Sequence, residues 1–155
     1  MALRSTERRT FLKASLGASA VFAIPTIIPS TAFGANEKII TGHIGVGGRG
    51  GGNLRSFLNH AAAVCDVDST RVARAVKQVE NAGRKCTGHS DFRELLDRSD
   101  LDAVVISTPD HWHALPTIMA CQAGKDVYCE KPLTLTVDEG RIISKVAQQT
   151  DRIIQ

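Results

Sequence analysis

Lys38-Ile39-Ile40-Thr41-Gly42-His43-Ile44 runs directly into Gly45-Val46-Gly47-Gly48-Arg49-Gly50. The first part has the apolar content of a buried strand, and the second spells GxGxxG where a strand would hand over to a helix. Each glycine has its own physical reason. Gly45 permits a tight turn, Gly47 lets the backbone approach a pyrophosphate, and Gly50 lets the helix pack closely on the strand. Gly48 and Arg49 sit inside the same turn. Gly51 and Gly52 lengthen the run, so the stretch taken alone also reads as a flexible glycine loop.

The deciding residue stands at the end of the next apolar run. Asp66, in Val64-Cys65-Asp66-Val67-Asp68, lies 19 positions beyond Gly47. An acid at about that distance, closing the second strand, accepts hydrogen bonds from the adenosine ribose hydroxyls of a dinucleotide. It would also repel a 2′-phosphate, which favours NAD. Arg71 lies close enough in sequence to keep NADP open as the alternative.

Outward from this turn, short apolar runs alternate with longer amphipathic segments, the pattern of βαβ units around a parallel sheet. Strands are expected at 38–44, 61–65, 103–107 and 127–129, with the start of another at 152–154. Helices are expected around 53–59, 71–82, 92–97, 115–123 and 137–149. The resulting expectation is α/β, a Rossmann-like doubly wound parallel sheet in one domain spanning 37–155.

The 155 residues suit one domain of ordinary size, and 43% hydrophobic with 23% charged residues excludes a disordered chain. Residues 1–34 hold Arg4, Arg8, Arg9 and Lys13 against Glu7, which accounts for the whole net charge of +3. The remainder is balanced, so it has no net pull toward nucleic acid or anionic lipid. Cys65, Cys86, Cys121 and Cys129 form no CxxC pair and have no His at zinc-ligand spacing, so buried free thiols are expected.

Residues 1–34 read as an export signal: a basic start, an apolar stretch from Ala14 to Ile28, and a small-residue end at Ala32-Phe33-Gly34. The apolar stretch is too short, and too interrupted by Gly17 and Pro25, for a spanning helix. Arg8-Arg9-Thr10-Phe11-Leu12-Lys13 resembles the twin-arginine motif, with Glu7 where Ser or Thr is usual. That resemblance implies the twin-arginine export machinery as a partner, export in a folded state, and a periplasmic destination.

The third strand ends in Ser107-Thr108-Pro109-Asp110-His111-Trp112-His113, at the edge where open α/β sheets bind ligands. Thr108 and Pro109 are expected to flank the cofactor. His111 and His113 are two apart on a turn, which points their rings in different directions, and no third ligand is near, so no metal site is expected. They line the crevice, His113 being the candidate, or serve in capping and packing. Trp112 fits a rim or a core.

The fourth strand ends in Val127-Tyr128-Cys129-Glu130-Lys131-Pro132. With GVGGRG, the VCDVD acid, STPDHWH and CEKP in order, residues 38–155 resemble the N-terminal NAD(P)-binding domain of the Gfo/Idh/MocA oxidoreductases. The resemblance implies that Lys131 handles a substrate hydroxyl and that Glu130 lies by the nicotinamide ribose. A lysine desolvated beside a cofactor suits that task; a solvated charge paired with Glu130 is the plainer reading of the residues alone.

Members of the family follow this domain with a larger α/β domain that walls the substrate site and forms the oligomer interface. The chain is therefore expected to be the N-terminal part of an NAD(P)-dependent oxidoreductase acting on a sugar or polyol, inactive alone and homo-oligomeric at full length. Two alternatives stand beside it: an NAD-dependent glycosidase using transient oxidation and elimination, and a non-catalytic dinucleotide-binding module.

Overall fold

The computed structural model describes residues 38–155; the expected signal peptide lies outside the described residues. Five strands form one parallel sheet: β1 (Thr41–Ile44), β2 (Ala61–Cys65), β3 (Thr87–His89), β4 (Ala103–Ile106) and β5 (Asp126–Cys129), in the spatial order β3-β2-β1-β4-β5. Between them lie α1 (Gly48–Ser56), α2 (Ser69–Asn81), α3 (Phe92–Leu96) and α4 (Ala114–Gln122), with α5 (Val137–Thr150) after β5. A 3-10 turn at Asp110–Trp112 precedes α4. No helix among the described residues is long and apolar enough to cross a membrane.

The central strands are near-continuous apolar runs because a parallel sheet is covered on both faces. Ala61, Ala63, Val64, Val104 and Ile106 have no exposed surface. One face packs against Leu95, Leu96, Ala120 and Cys121, and the other against Leu54, Ala75 and Val79. After β3 the chain crosses back over β1 to lay down β4. The connections leaving β1 and β4 diverge there, opening a crevice beyond their carboxyl ends.

Strand β1 begins at Thr41, three residues later than expected, and α1 begins inside the glycine run, five residues earlier. Glycine disfavours helix by about 1 kcal/mol per residue, so this first turn exists through tertiary contact: buried Leu54 and Gly50 seat it on the sheet. Strand β3 has no counterpart among the expected elements; Thr87-Gly88-His89 is a short edge strand without an apolar run. The strand expected at 152–154 is a single parallel bridge, Val127 with Ile154.

Two helix starts are closed by side-chain caps. Asp68 caps α2, accepting from the backbone N–H groups of Thr70 and Arg71, and Thr136 with Glu139 closes a reciprocal capping box on α5. All four cysteines are free. Burial pushes the Cys65 thiol up to about 12 and those of Cys86 and Cys129 to about 11, so they are inert thiols.

His43, on β1, is 1% exposed and packs on Phe57, with ring centroids 5.9 Å apart. Its Nε2 lies 3.1 Å from Thr41 Oγ1, while Nδ1 has no partner. Burial lowers its pKa to about 4. An unfolded histidine titrates near 6.5, so between those values the unfolded state binds more protons, and stability falls as pH drops from about 6.5 to 4. We expect a loss of roughly 3 kcal/mol across that window, from 1.36 kcal/mol per pKa unit. His43→Gln should flatten the slope. Urea midpoints at pH 7 and pH 4.5 check this, and equal slopes in the two proteins would reject it.

Candidate functional site

Gly45 closes β1 in the left-handed region, with φ of 81°. Its N–H donates to the Cys65 carbonyl at 2.8 Å, and a Cβ there would lie 2.8 Å from the Ser107 carbonyl and the Thr108 nitrogen. At Gly50 a Cβ would run into the Gly45 carbonyl oxygen. Only glycine fits either position, and the result is a tight turn that lays the start of α1 against the ends of β1 and β4.

Asp66 is 8% exposed. Its Oδ2 accepts from the Val46 N–H and its Oδ1 from the Asp68 N–H, both at 3.0 Å, so the acid ties the glycine turn to the end of β2. The Arg71 guanidinium stands 3.8 Å from Asp66 and 3.4 Å from Asp68. It also lies against the backbone of Gly47, 2.9 Å from where a Cβ would be. Each Asp66 oxygen retains a lone pair for a further donor.

Glu130, closing β5, is held from the opposite wall. Its Oε1 accepts from Arg49 Nε at 2.8 Å and from Asn53 Nδ2 at 2.9 Å, and the same Asn53 nitrogen lies 2.9 Å from Ser107 Oγ. The Asn53 and Arg49 hydrogen bonds keep the Glu130 carboxyl below its ordinary range. Helix α1 is thereby tied to the ends of both β4 and β5.

Gly45, Gly47, Gly48, Arg49, Asp66, Thr108 and Pro109 line one crevice of about 590 Å³. Gly50 packs beneath it, and Glu130 joins it through Arg49. Lys131 is exposed and does not line the crevice; it stands just after Glu130, at the carboxyl end of the strand beside β4. His113 takes the packing place that the sequence leaves open beside a crevice role. Its side chain is buried, at 2% exposure, and does not line the crevice; Nδ1 faces the Pro132 carbonyl and Nε2 the Thr108 carbonyl.

Several contributors escaped the sequence reading. Asn53 and Ser107 carry the network; their only signal is that each is polar at an element end facing the turn. Val67, at 93% exposure, and Phe92, with the Arg93 guanidinium 4.8 Å above its ring, add an apolar side, while half-exposed Trp112 takes the rim place the sequence offered.

A dinucleotide fits what is present. The Thr108 Oγ1 is buried without a hydrogen-bond partner, nothing lies within 4 Å of where a Cβ would stand on Gly48, and the Asp66 carboxylate lines the crevice with lone pairs to spare. The fold and crevice together define a dinucleotide-binding domain of the Rossmann class.

Comparison with known proteins makes this specific. Residues 40–155 match the Gfo/Idh/MocA oxidoreductase family, with its NAD-binding Rossmann fold, and the chain belongs to that family. It is 38% identical over 125 residues to an alpha-N-acetylgalactosaminidase of Shewanella oneidensis, an alignment covering 75% of this chain and 27% of that protein. The myo-inositol 2-dehydrogenase of Lactobacillus plantarum superposes with a TM-score of 0.69 at 29% identity, over 77% of this chain and 36% of that one. The scyllo-inositol dehydrogenase of Lactobacillus casei, crystallised with NAD(H) and scyllo-inositol, gives a TM-score of 0.69 at 26% identity, over 77% and 36%. The chain thus spans well under half the length of these relatives.

Proposed function

We propose that this chain is the cofactor-holding part of an NAD-dependent enzyme that works on a hydroxyl-bearing carbon of a sugar or polyol. The observation that carries the reading is the crevice between β1 and β4, where Gly45, Asp66 and the unpartnered Thr108 hydroxyl converge. The backbone from Gly45 to Arg49 holds the pyrophosphate, Asp66 the adenosine ribose, and Thr108 with Pro109 the flank. Glu130, tied to Arg49, lies toward the nicotinamide ribose. NAD bound there supplies the acceptor for a hydride. Lys131 takes or shares the proton of the substrate hydroxyl, as a lysine amine within hydrogen-bond reach of it can.

A glycosidase reading is favoured by the likeness to the alpha-N-acetylgalactosaminidase. There Lys131 would serve the same proton transfer, while the cofactor ends each cycle in the form in which it began. For the full-length enzyme, accumulation of NADH with substrate marks the dehydrogenase; release of free sugar with no net NADH marks the glycosidase. The leader at 1–34 directs the protein out of the cytoplasm through the twin-arginine route, which carries it folded.

The binding step is testable on the chain itself. Trp112 is its one tryptophan and lines the crevice. Titrated NADH is expected to quench Trp112 emission by energy transfer, with saturation at micromolar concentrations, on the order of −8 kcal/mol. Absence of quenching up to millimolar NADH would reject the assignment.

A further inference from the structure

We propose that His113 is a positioning residue for Lys131, clamping the lysine-bearing loop to the cofactor wall. This rests on the assignment of the crevice to NAD. The imidazole Nδ1 lies 2.6 Å from the Pro132 carbonyl oxygen, and Nε2 lies 2.8 Å from the Thr108 carbonyl oxygen. Thr108 belongs to the crevice at the end of β4, and Pro132 is the residue directly after Lys131. One buried ring therefore spans the two loops that a reaction at the nicotinamide end would need in register.

The geometry has a chemical corollary. A carbonyl oxygen only accepts, so a ring nitrogen bonds the carbonyl it faces through its own N–H. A phenyl ring would fill the space and make neither bond.

The other neighbour of Lys131 is fastened too. The Glu130 carboxylate accepts from Arg49 and Asn53, and its backbone N–H donates to the Ile106 carbonyl at 2.9 Å. Lys131 thus sits between two anchored residues. One anchor reaches α1, which begins at the glycine turn, and the other reaches the β4 loop, so the lysine backbone is referenced to both walls of the cofactor crevice while its side chain stays exposed. A residue held in this way loses its orientation when one anchor is cut, even if the fold survives.

The test uses the full 155-residue chain with its lysines carrying 13C-methyl groups, a modification that keeps their charge. The Lys131 signal is identified by its loss in Lys131→Arg. In the parent chain, saturating NADH is expected to shift that signal. In His113→Phe, NADH affinity measured through Trp112 should stay within about fivefold of the parent, while the Lys131 shift falls to less than half. A merely space-filling histidine would lower the melting temperature but leave the shift intact, and an intact shift overturns the proposal. So does NADH binding to the parent chain with no Lys131 shift at all. If His113→Phe shows no cooperative melting, His113→Asn is judged by the same criterion. Failure of the parent chain to bind NADH is a different result: it removes the cofactor assignment itself.

Discussion

Gly50→Ala is expected to abolish measurable NADH binding, raising Kd at least about a hundredfold, and to destabilise the domain by roughly 3 kcal/mol. The added Cβ would meet the Gly45 carbonyl oxygen, with the Gly45 carbonyl carbon at 2.9 Å and Ser107 Cβ at 3.1 Å. None of these is the end of a flexible side chain. Gly45 is itself fixed by its hydrogen bond to Cys65 and by its left-handed backbone, so relief comes only from lifting α1 off the sheet. That movement opens the turn that would hold the pyrophosphate and pulls Asn53 from Glu130. Gly48→Ala is the control for stability: nothing of the protein lies within 4 Å of its Cβ position, and alanine is the better helix former by about 1 kcal/mol. Urea denaturation and the Trp112 titration read both variants; a Gly50→Ala protein with parental values would show that the close approach carries no weight.

Asp66→Ala is the second large effect. The carboxylate accepts from Val46 and Asp68, and Val46 is 1% exposed, so truncation leaves a buried N–H without a partner. Such a loss destabilises by about 1–3 kcal/mol. The ribose contact goes with it, and a hydrogen bond to a charged acceptor is worth about 1.5–3 kcal/mol, so NADH affinity should fall roughly 10- to 100-fold. Asp66→Asn keeps one oxygen for Val46 and should recover much of the stability while remaining weak for NADH. Equal recovery of both properties would mean that Asp66 only supports the turn.

These two residues were legible because their chemistry is written locally: a glycine where a chain must pass closely, and an acid at a fixed distance from it. The strands of the sheet interior were legible for the same reason, since burial on both faces leaves apolar runs. Strand β3 was not, because an edge strand of Thr87-Gly88-His89 is mostly exposed and need not be apolar. The start of α1 was hidden by glycine's poor helix propensity, which the packing of Gly50 and Leu54 overrides.

In the site, the pairing of Glu130 with Arg49 and Asn53 spans 81 and 77 residues, and no spacing rule links positions so far apart. The choice between the two readings of His113 was hidden for a related reason. Its place after β4 allowed the crevice, but which way a ring between a 3-10 turn and α4 faces depends on the loop from β5, where the Pro132 carbonyl meets it.

The central position of β1 has a consequence for how the chain assembles. Its neighbour on one side, β2, pairs Thr41 with Ala61; its neighbour on the other, β4, pairs Thr41 with Ala103. Ile40 N donates to Asp102 across 62 residues as well. The second edge of the middle strand therefore stays unsatisfied until most of the domain has been made and brought back, and closing such a loop is entropically slow. The β1–β2 half can collapse early, but the cofactor crevice does not exist until β4 docks. Ligand-binding ability should thus emerge only with the long-range pairing of β4 on β1, together with recovery of the native sheet.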